Sequence, residues 1–130
     1  MGGRGTFALG KNVAYSFETV GKINGVKVLE KKDKNDSKNL PEEAHSSKAY
    51  ILLDDNGVFR KYREYDKHHI IQFEIEYGTH GARKFLHYHP YINGERQKAQ
   101  EISSSMIEKY KKFFKGLNLW KIWSLTSFWI

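Results

Sequence analysis

Apolar and polar residues alternate with period two along most of the chain, and the period lengthens only near its end. Val13, Tyr15 and Phe17 recur at every second position, which predicts a strand over 12–18. Ile23-Asn24-Gly25-Val26 is a hairpin signal because asparagine and glycine tolerate the positive φ of a two-residue turn, and Val26 and Val28 carry the alternation back. Between 31 and 47 the pattern stops. KKDKNDSKNLPEEAHSS mixes lysines with acidic residues and has almost no apolar side chain, so it is expected to be a mobile polar surface loop. Lys48 to Leu53 reads as a short apolar strand, Asp54-Asp55-Asn56-Gly57 as a turn, and Val58 to Tyr65 as the next strand. Ile71, Phe73, Ile75 and Tyr77 then alternate with Gln72, Glu74 and Glu76, predicting a strand over 69–77 with one buried face. Gly78 and Gly81 bracket a reversal. The returning strand over 83–89 sets Arg83, Phe85, His87 and His89 on one face and Lys84, Leu86 and Tyr88 on the other. Pro90 has no ladder donor and is expected to end that strand, before a second turn signal at Asn93-Gly94.

Ile107, Tyr110, Phe114 and Leu117 are spaced as one face of a helix, Ser105 to Glu108 matches a capping box, and Gly116 is placed for a C-terminal cap. Residues 117–130 hold Trp120, Trp123 and Trp129 with a single charge, Lys121, and are too short to cross a bilayer as a helix. This tail is expected to pack on the sheet or to join copies of the chain as a homo-oligomer. The elements predict one α+β domain over 1–130: a predominantly antiparallel sheet of five or six strands, with a C-terminal helix packed on one face. Its flanks are a flexible lead-in at 1–5 and the apolar tail.

Composition narrows the chemistry. Lys plus Arg is 22 against 15 Asp plus Glu, a net charge of +7, which favours a polyanion such as nucleic acid. There is no cysteine, so thiolate nucleophiles, thiolate metal ligands and disulfides are excluded. No signal-peptide pattern opens the chain and no window reaches ~18 continuous apolar residues, so no transmembrane segment and a cytoplasmic location are expected.

Five of the six histidines lie between His68 and Arg96. Metal-free cleavage of RNA needs a base for the 2′-hydroxyl, an acid for the leaving oxygen and a cation for the phosphorane. Histidine serves either proton role near neutrality. His87 and His89 on one strand face meet that need, with Arg83, Lys84 or Arg96 as cation and Tyr88 or Tyr91 as hydroxyl donor. The strand before them is basic and aromatic: Arg60, Lys61 and Arg63 suit phosphate contacts, and Tyr62 and Tyr65 suit base stacking. Two other constellations are legible. His87-x-His89 followed by Glu95 approaches the first metal motif of the cupins, with the glutamate one residue too far and a third histidine available only from His45, His68, His69 or His80. Glu74 and Glu76 share a strand face as an acid–base pair or as ion-pairing partners for the basic neighbours.

The runs GGRGTFALGKN, YILLDDNGVFRKYREYD and FEIEYGTHGARKFLHYHPYINGERQKA, followed by KYKKFFKGL, resemble the small domain at the ends of phage minor head proteins. That domain is grouped with the barnase, EndoU, colicin and RelE-like nuclease superfamily. The resemblance implies a small antiparallel sheet packed by helices, RNA as the partner, and cleavage without metal or other cofactor. It points to His87 and His89 as proton-transfer groups, to Arg83 and Arg96 as phosphate binders, and to Lys11 as a further contact. It also implies a phage-derived protein, acting in the bacterial host cytoplasm or carried with the virion. The contrasting expectations are a non-enzymatic phage accessory protein, such as an inhibitor that docks on a host nuclease or nucleoprotein through its basic face or tail, and a cupin-like metal-binding protein.

Overall fold

Tight turns set the path of the chain in the structure, a computed structural model that describes residues 16–33, 35, 40–44, 46–80 and 83–118, with the backbone alone at 79, 80, 83 and 84. The elements are β1 (Phe17–Ile23), β2 (Val26–Lys31), β3 (Ala49–Leu53), β4 (Phe59–Tyr65), β5 (Ile71–His80), β6 (Arg83–Ile92), β7 (Glu95–Arg96), β8 (Gln100–Glu101), α1 (Ser104–Tyr110) and a 3-10 turn (Lys111–Phe113). They form an α+β fold. The sheet runs in the order β1 to β7, with β8 paired to β6, and every neighbour is antiparallel except β2 with β3. The eight strands exceed the five or six expected, because β7 and β8 are two-residue pairings on the outer edge of β6 and too short to show a period.

The Asn-Gly signals behave as read. Asn24 and Gly25 sit at φ 48 and 84, Asn93 and Gly94 at 51 and 80, each closing a two-residue hairpin. Asp54 organises the β3–β4 turn by accepting from the Asn56 and Val58 amides at 2.8 and 2.9 Å, with Gly57 at φ 77. The β4–β5 turn repeats this design one strand later. Asp66 accepts from the amides of His68 and Ile70 at 2.8 and 3.1 Å, and the left-handed position that Gly57 fills in the first turn falls here on His69, at φ 68. His68 and His69 are therefore exposed turn residues outside β5, which begins at Ile71.

Several expectations need correction. The first strand is displaced: β1 begins at Phe17 and continues to Ile23, while 12–15 lie outside the described residues. The parallel pairing of β2 with β3 makes the intervening segment a crossover, because two parallel strands need a connection that traverses the sheet. That segment is not only a polar loop. Leu40, Pro41 and Ala44 are buried, and Leu40 and Ala44 pack with Phe17, Leu29, Tyr50, Leu52, Tyr65 and Ile71 on one face of the sheet. On the opposite face, Ile107, Tyr110, Phe113 and Phe114 cover Ile51, Phe59, Tyr62, Ile75 and Leu86, and the Tyr62 and Phe113 rings stack at 5.0 Å. Each of these large side chains contributes about 1.5–3 kcal/mol by leaving water.

Ile71 does not share a face with Phe73, Ile75 and Tyr77. The β4–β5 register slips between Glu64 and Tyr65, so Gln72 is an extra residue and Ile71 turns toward the crossover. Pro90 does not end β6. Its carbonyl accepts from the Gln97 amide at 2.8 Å, so its missing donor faces the frayed β7 edge and leaves the pairing with β5 intact. Helix α1 starts earlier than its capping box implied. Ser103 is the N-cap, accepting from the Met106 amide at 3.2 Å, and Ser105 lies inside the helix. Gly116 stands at φ 81 as expected of a terminator, and any Cβ there would meet Val58 Cγ2 at 3.1 Å. The tail beyond Asn118 lies outside the described residues.

The strain at His69 gives a simple test. A non-glycine residue in the left-handed region costs about 1 kcal/mol. His69→Gly should therefore raise stability by no more than about 0.5 kcal/mol in urea unfolding, once glycine's larger unfolded-state entropy is offset.

Candidate active site

Three neighbouring strands each contribute an i, i+2 pair to the face beneath the crossover, and the register aligns the pairs. Lys61 is opposite Glu76, and Glu76 is opposite His87; Arg63 is opposite Glu74, and Glu74 is opposite His89. The result is two parallel rows, each cation, carboxylate and imidazole in order. β7 supplies Arg96, which closes both rows by donating to Glu74 Oε1 at 3.1 Å and to Glu76 Oε1 at 3.0 Å.

The inner row is anchored by Glu74, whose side chain is fully buried. Arg63 binds one of its oxygens through Nε and Nη2, both at 2.9 Å, and Lys61 Nζ stands 3.7 Å from the other. Burial by itself would raise the Glu74 carboxyl, but the charges of Arg63, Lys61 and Arg96 outweigh it and the group titrates below its usual range. Arg63 also donates to the carbonyls of Leu40 and Pro41 at 3.0 and 3.1 Å, and the Tyr65 hydroxyl bonds that of Pro41. The charged rows thereby tie down the crossover that covers them. Lys61 is driven below its ordinary value by burial, against the opposing pull of Glu74 and Glu76.

The outer row opens toward solvent at Glu76 and at Arg96, whose side chain is 47% exposed. Both imidazoles are buried and aimed at one oxygen, with His87 Nε2 3.4 Å and His89 Nε2 3.7 Å from Glu76 Oε1. Their other nitrogens are fixed by backbone carbonyls: His87 Nδ1 at 3.1 Å from Phe85 O, and His89 Nδ1 at 2.9 Å from Gln97 O. A carbonyl only accepts, so each Nδ1 carries a proton. Burial raises the Glu76 carboxyl, yet the His87 hydrogen bond and the charges of Lys61, His87 and Arg96 bring it down to about 2. Burial lowers His89, with the Gln97 carbonyl pulling the other way and Arg96 and His87 adding to the fall. Burial and the Arg96 charge thus favour the neutral form of His89, in which Nε2 carries the lone pair. His87 has an acceptor facing each nitrogen, Phe85 O and Glu76 Oε1.

The candidates from sequence fall into three groups. His87, His89, Arg96, Lys61 and Arg63 come together here with Glu74 and Glu76, although Lys61 and Arg63 are buried and engaged with Glu74 where a solvent-facing nucleic-acid surface was expected. Tyr88 and Arg60 stand apart. Tyr88 points to the helix side and bonds Gln100 at 2.7 Å, and Arg60 is an exposed residue at the β4 bulge. Lys11 and the side chains of Arg83 and Lys84 lie outside the described residues. Tyr91 shares the crossover side, its phenol raised by burial and then by the charge of Glu74. The carboxylates near the histidines are Glu74 and Glu76, already visible as an i, i+2 pair; Glu95 sits in the exposed β6–β7 hairpin. The part played by the Gln97 carbonyl had no sequence signal. Among the described residues, Glu76, His87 and His89 also place one potential metal-ligand atom each within 4.8 Å of the others. Also among the described residues, no helix is long and apolar enough to cross a membrane. Comparison with protein-family models, curated proteins and solved structures finds no match for the chain.

Because both carboxyls titrate lower in the folded than in the unfolded protein, their stabilisation is complete above the unfolded value near 4.5 and is lost as pH falls through their folded values, about 2 for Glu76. Urea midpoints measured between those limits should drop steadily. Glu74→Gln leaves Lys61, Arg63 and Arg96 without their shared counter-charge, and is expected to cost about 3 kcal/mol at neutral pH while flattening the acid slope.

Proposed function

We propose that this domain is an endoribonuclease that cleaves RNA by internal transfer of the phosphate, with protein groups alone as acid, base and charge stabiliser. The observation that carries the reading is the convergence of His87 and His89 on Glu76 beside Arg96, at the open end of an otherwise buried charged cluster. Lys61, Arg63 and Arg96 outnumber the two carboxylates in that cluster, so it holds surplus positive charge that a scissile phosphate would complement.

The groups divide by environment. His89 Nε2, bare because Nδ1 is committed to Gln97, takes the proton of the 2′-hydroxyl as that oxygen attacks phosphorus. Arg96 turns from Glu76 to the phosphate, and together with Lys61 it balances the charge that builds on the equatorial oxygens. His87 returns a proton to the departing 5′-oxygen. The products are a 2′,3′-cyclic phosphate and a 5′-hydroxyl end. Glu76 acts as a positioning group, holding the two rings and keeping the His87 proton in place. The resemblance to the phage-borne nuclease domain and the basic balance of the chain point to the same substrate.

On labelled mixed-sequence RNA, His87→Ala and His89→Ala should each lower cleavage by about 10²–10⁴-fold, with the wild-type rate not reduced by EDTA. Folding of each variant is checked by circular dichroism. Since the base titrates below 6.5, the acid limb of the rate profile should lie below that pH, where His89 gains a proton. RNA retained on a filter with no cyclic-phosphate product would refute catalysis and leave a binding protein, and absence of both would turn the search to a host protein partner.

A further inference from the structure

We propose that His87 Nε2, His89 Nε2 and Glu76 Oε1 also bind one late first-row divalent ion, typified by Zn2+, and that its occupancy shuts the nuclease off. The inhibitory half rests on the reading of these groups as acid and base; the binding half stands on their geometry.

Three ligands around a tetrahedral zinc ion, each at about 2.0–2.1 Å, are separated from one another by roughly 3.3 Å. The two imidazole nitrogens lie 3.4 and 3.7 Å from Glu76 Oε1, and all three atoms fall within 4.8 Å of one another. An ion therefore needs a contraction of a few tenths of an ångström along the two contacts to Glu76, and the imidazole nitrogens, within 4.8 Å of each other, draw together by up to about 1.5 Å through rotation of the rings. The strands make that contraction small, since Glu76 and His87 are directly paired across β5 and β6, and His89 follows two residues along the same strand.

The surroundings of the rings are those of metal ligands. A ligating histidine usually gives its second N–H to a carbonyl or carboxylate, which fixes ring orientation and tautomer. Phe85 O and Gln97 O provide this for His87 and His89 at 3.1 and 2.9 Å. The fourth position lies toward Arg96, at the solvent-facing end of the cluster.

Charge opposes the ion and decides which ion enters. Arg96 Nη2 lies 3.0 Å from the same Glu76 oxygen and must leave it, which its half-exposed side chain permits. Lys61 stays buried, 3.7 Å from the other oxygen. Mg2+ and Ca2+ prefer several oxygen ligands and find here one carboxylate among cations. Zn2+ and its neighbours bind imidazole strongly enough to enter. Once bound, the ion holds the His89 lone pair and displaces the proton His87 would deliver, so neither proton transfer proceeds.

The test is calorimetric titration of Zn2+, and separately of Mg2+, into the chelator-treated full chain, run beside the RNA assay. One Zn2+ per chain with no Mg2+ uptake at equal concentration is expected. Glu76→Gln and His89→Gln, shown folded by circular dichroism, should each weaken binding at least tenfold, as loss of an outer partner alone weakens it 10–100-fold. Arg96→Gln gives the opposite sign: about tenfold tighter Zn2+ together with slower RNA cleavage. No Zn2+ uptake, or uptake indifferent to these substitutions, overturns the site. Cleavage that continues in saturated protein overturns the inhibition. Failure of the chelated wild type to cleave RNA refutes the nuclease and with it the switch, while the titration still decides the site.

Discussion

The burial of one carboxylate, Glu74, is the constraint around which the rest of the structure is arranged. An ionised group with no exposed surface costs several kcal/mol unless cations and hydrogen bonds surround it. Lys61 and Arg63 do so from β4 and Arg96 from β7, and Arg63 carries the arrangement outward by holding the Leu40 and Pro41 carbonyls of the crossover. A buried ion cluster is not in itself a source of stability. Its effect is on specificity of register, since slipping β5 by one residue would put Glu74 and Glu76 into the apolar face occupied by Ile75 and Phe73.

The same arrangement links structure to chemistry. Cations gathered for Glu74 also face Glu76, whose charged oxygen orients both imidazoles from the neighbouring strand. Gln97 orients the His89 ring from beyond β7, through a backbone carbonyl that the Asn93-Gly94 turn brings back alongside β6. The sheet thus gathers two imidazoles, a carboxylate and a half-exposed guanidinium within one small area.

Much of this was legible from residue patterns. The pairs Lys61-x-Arg63, Glu74-x-Glu76 and His87-x-His89 each fall on one strand face by period two, and the Asn-Gly and Asp-rich signals placed the hairpins that align them. What stayed hidden was non-local. Alternation says nothing of strand direction, so the parallel step from β2 to β3 was invisible, and with it the crossover. A polar strand face reads as solvated, yet Leu40, Pro41 and Ala44 bury it from a segment whose composition looks like loop. The slip at Gln72 turned Ile71 to the other side, because a bulge leaves no mark in a short apolar run. Tyr88 illustrates the reverse: alternation already set it opposite the histidines, and its chemistry alone had recommended it.

The most direct measurement is the protonation of the His89 ring, read by long-range 15N–1H NMR at pH 7 with His89→Gln to assign the signal. A neutral ring with its proton on Nδ1 and a bare Nε2 is the predicted result, since both the proton transfer and the metal site need that lone pair. A proton on Nε2, donated to Glu76, would contradict it and remove His89 as base.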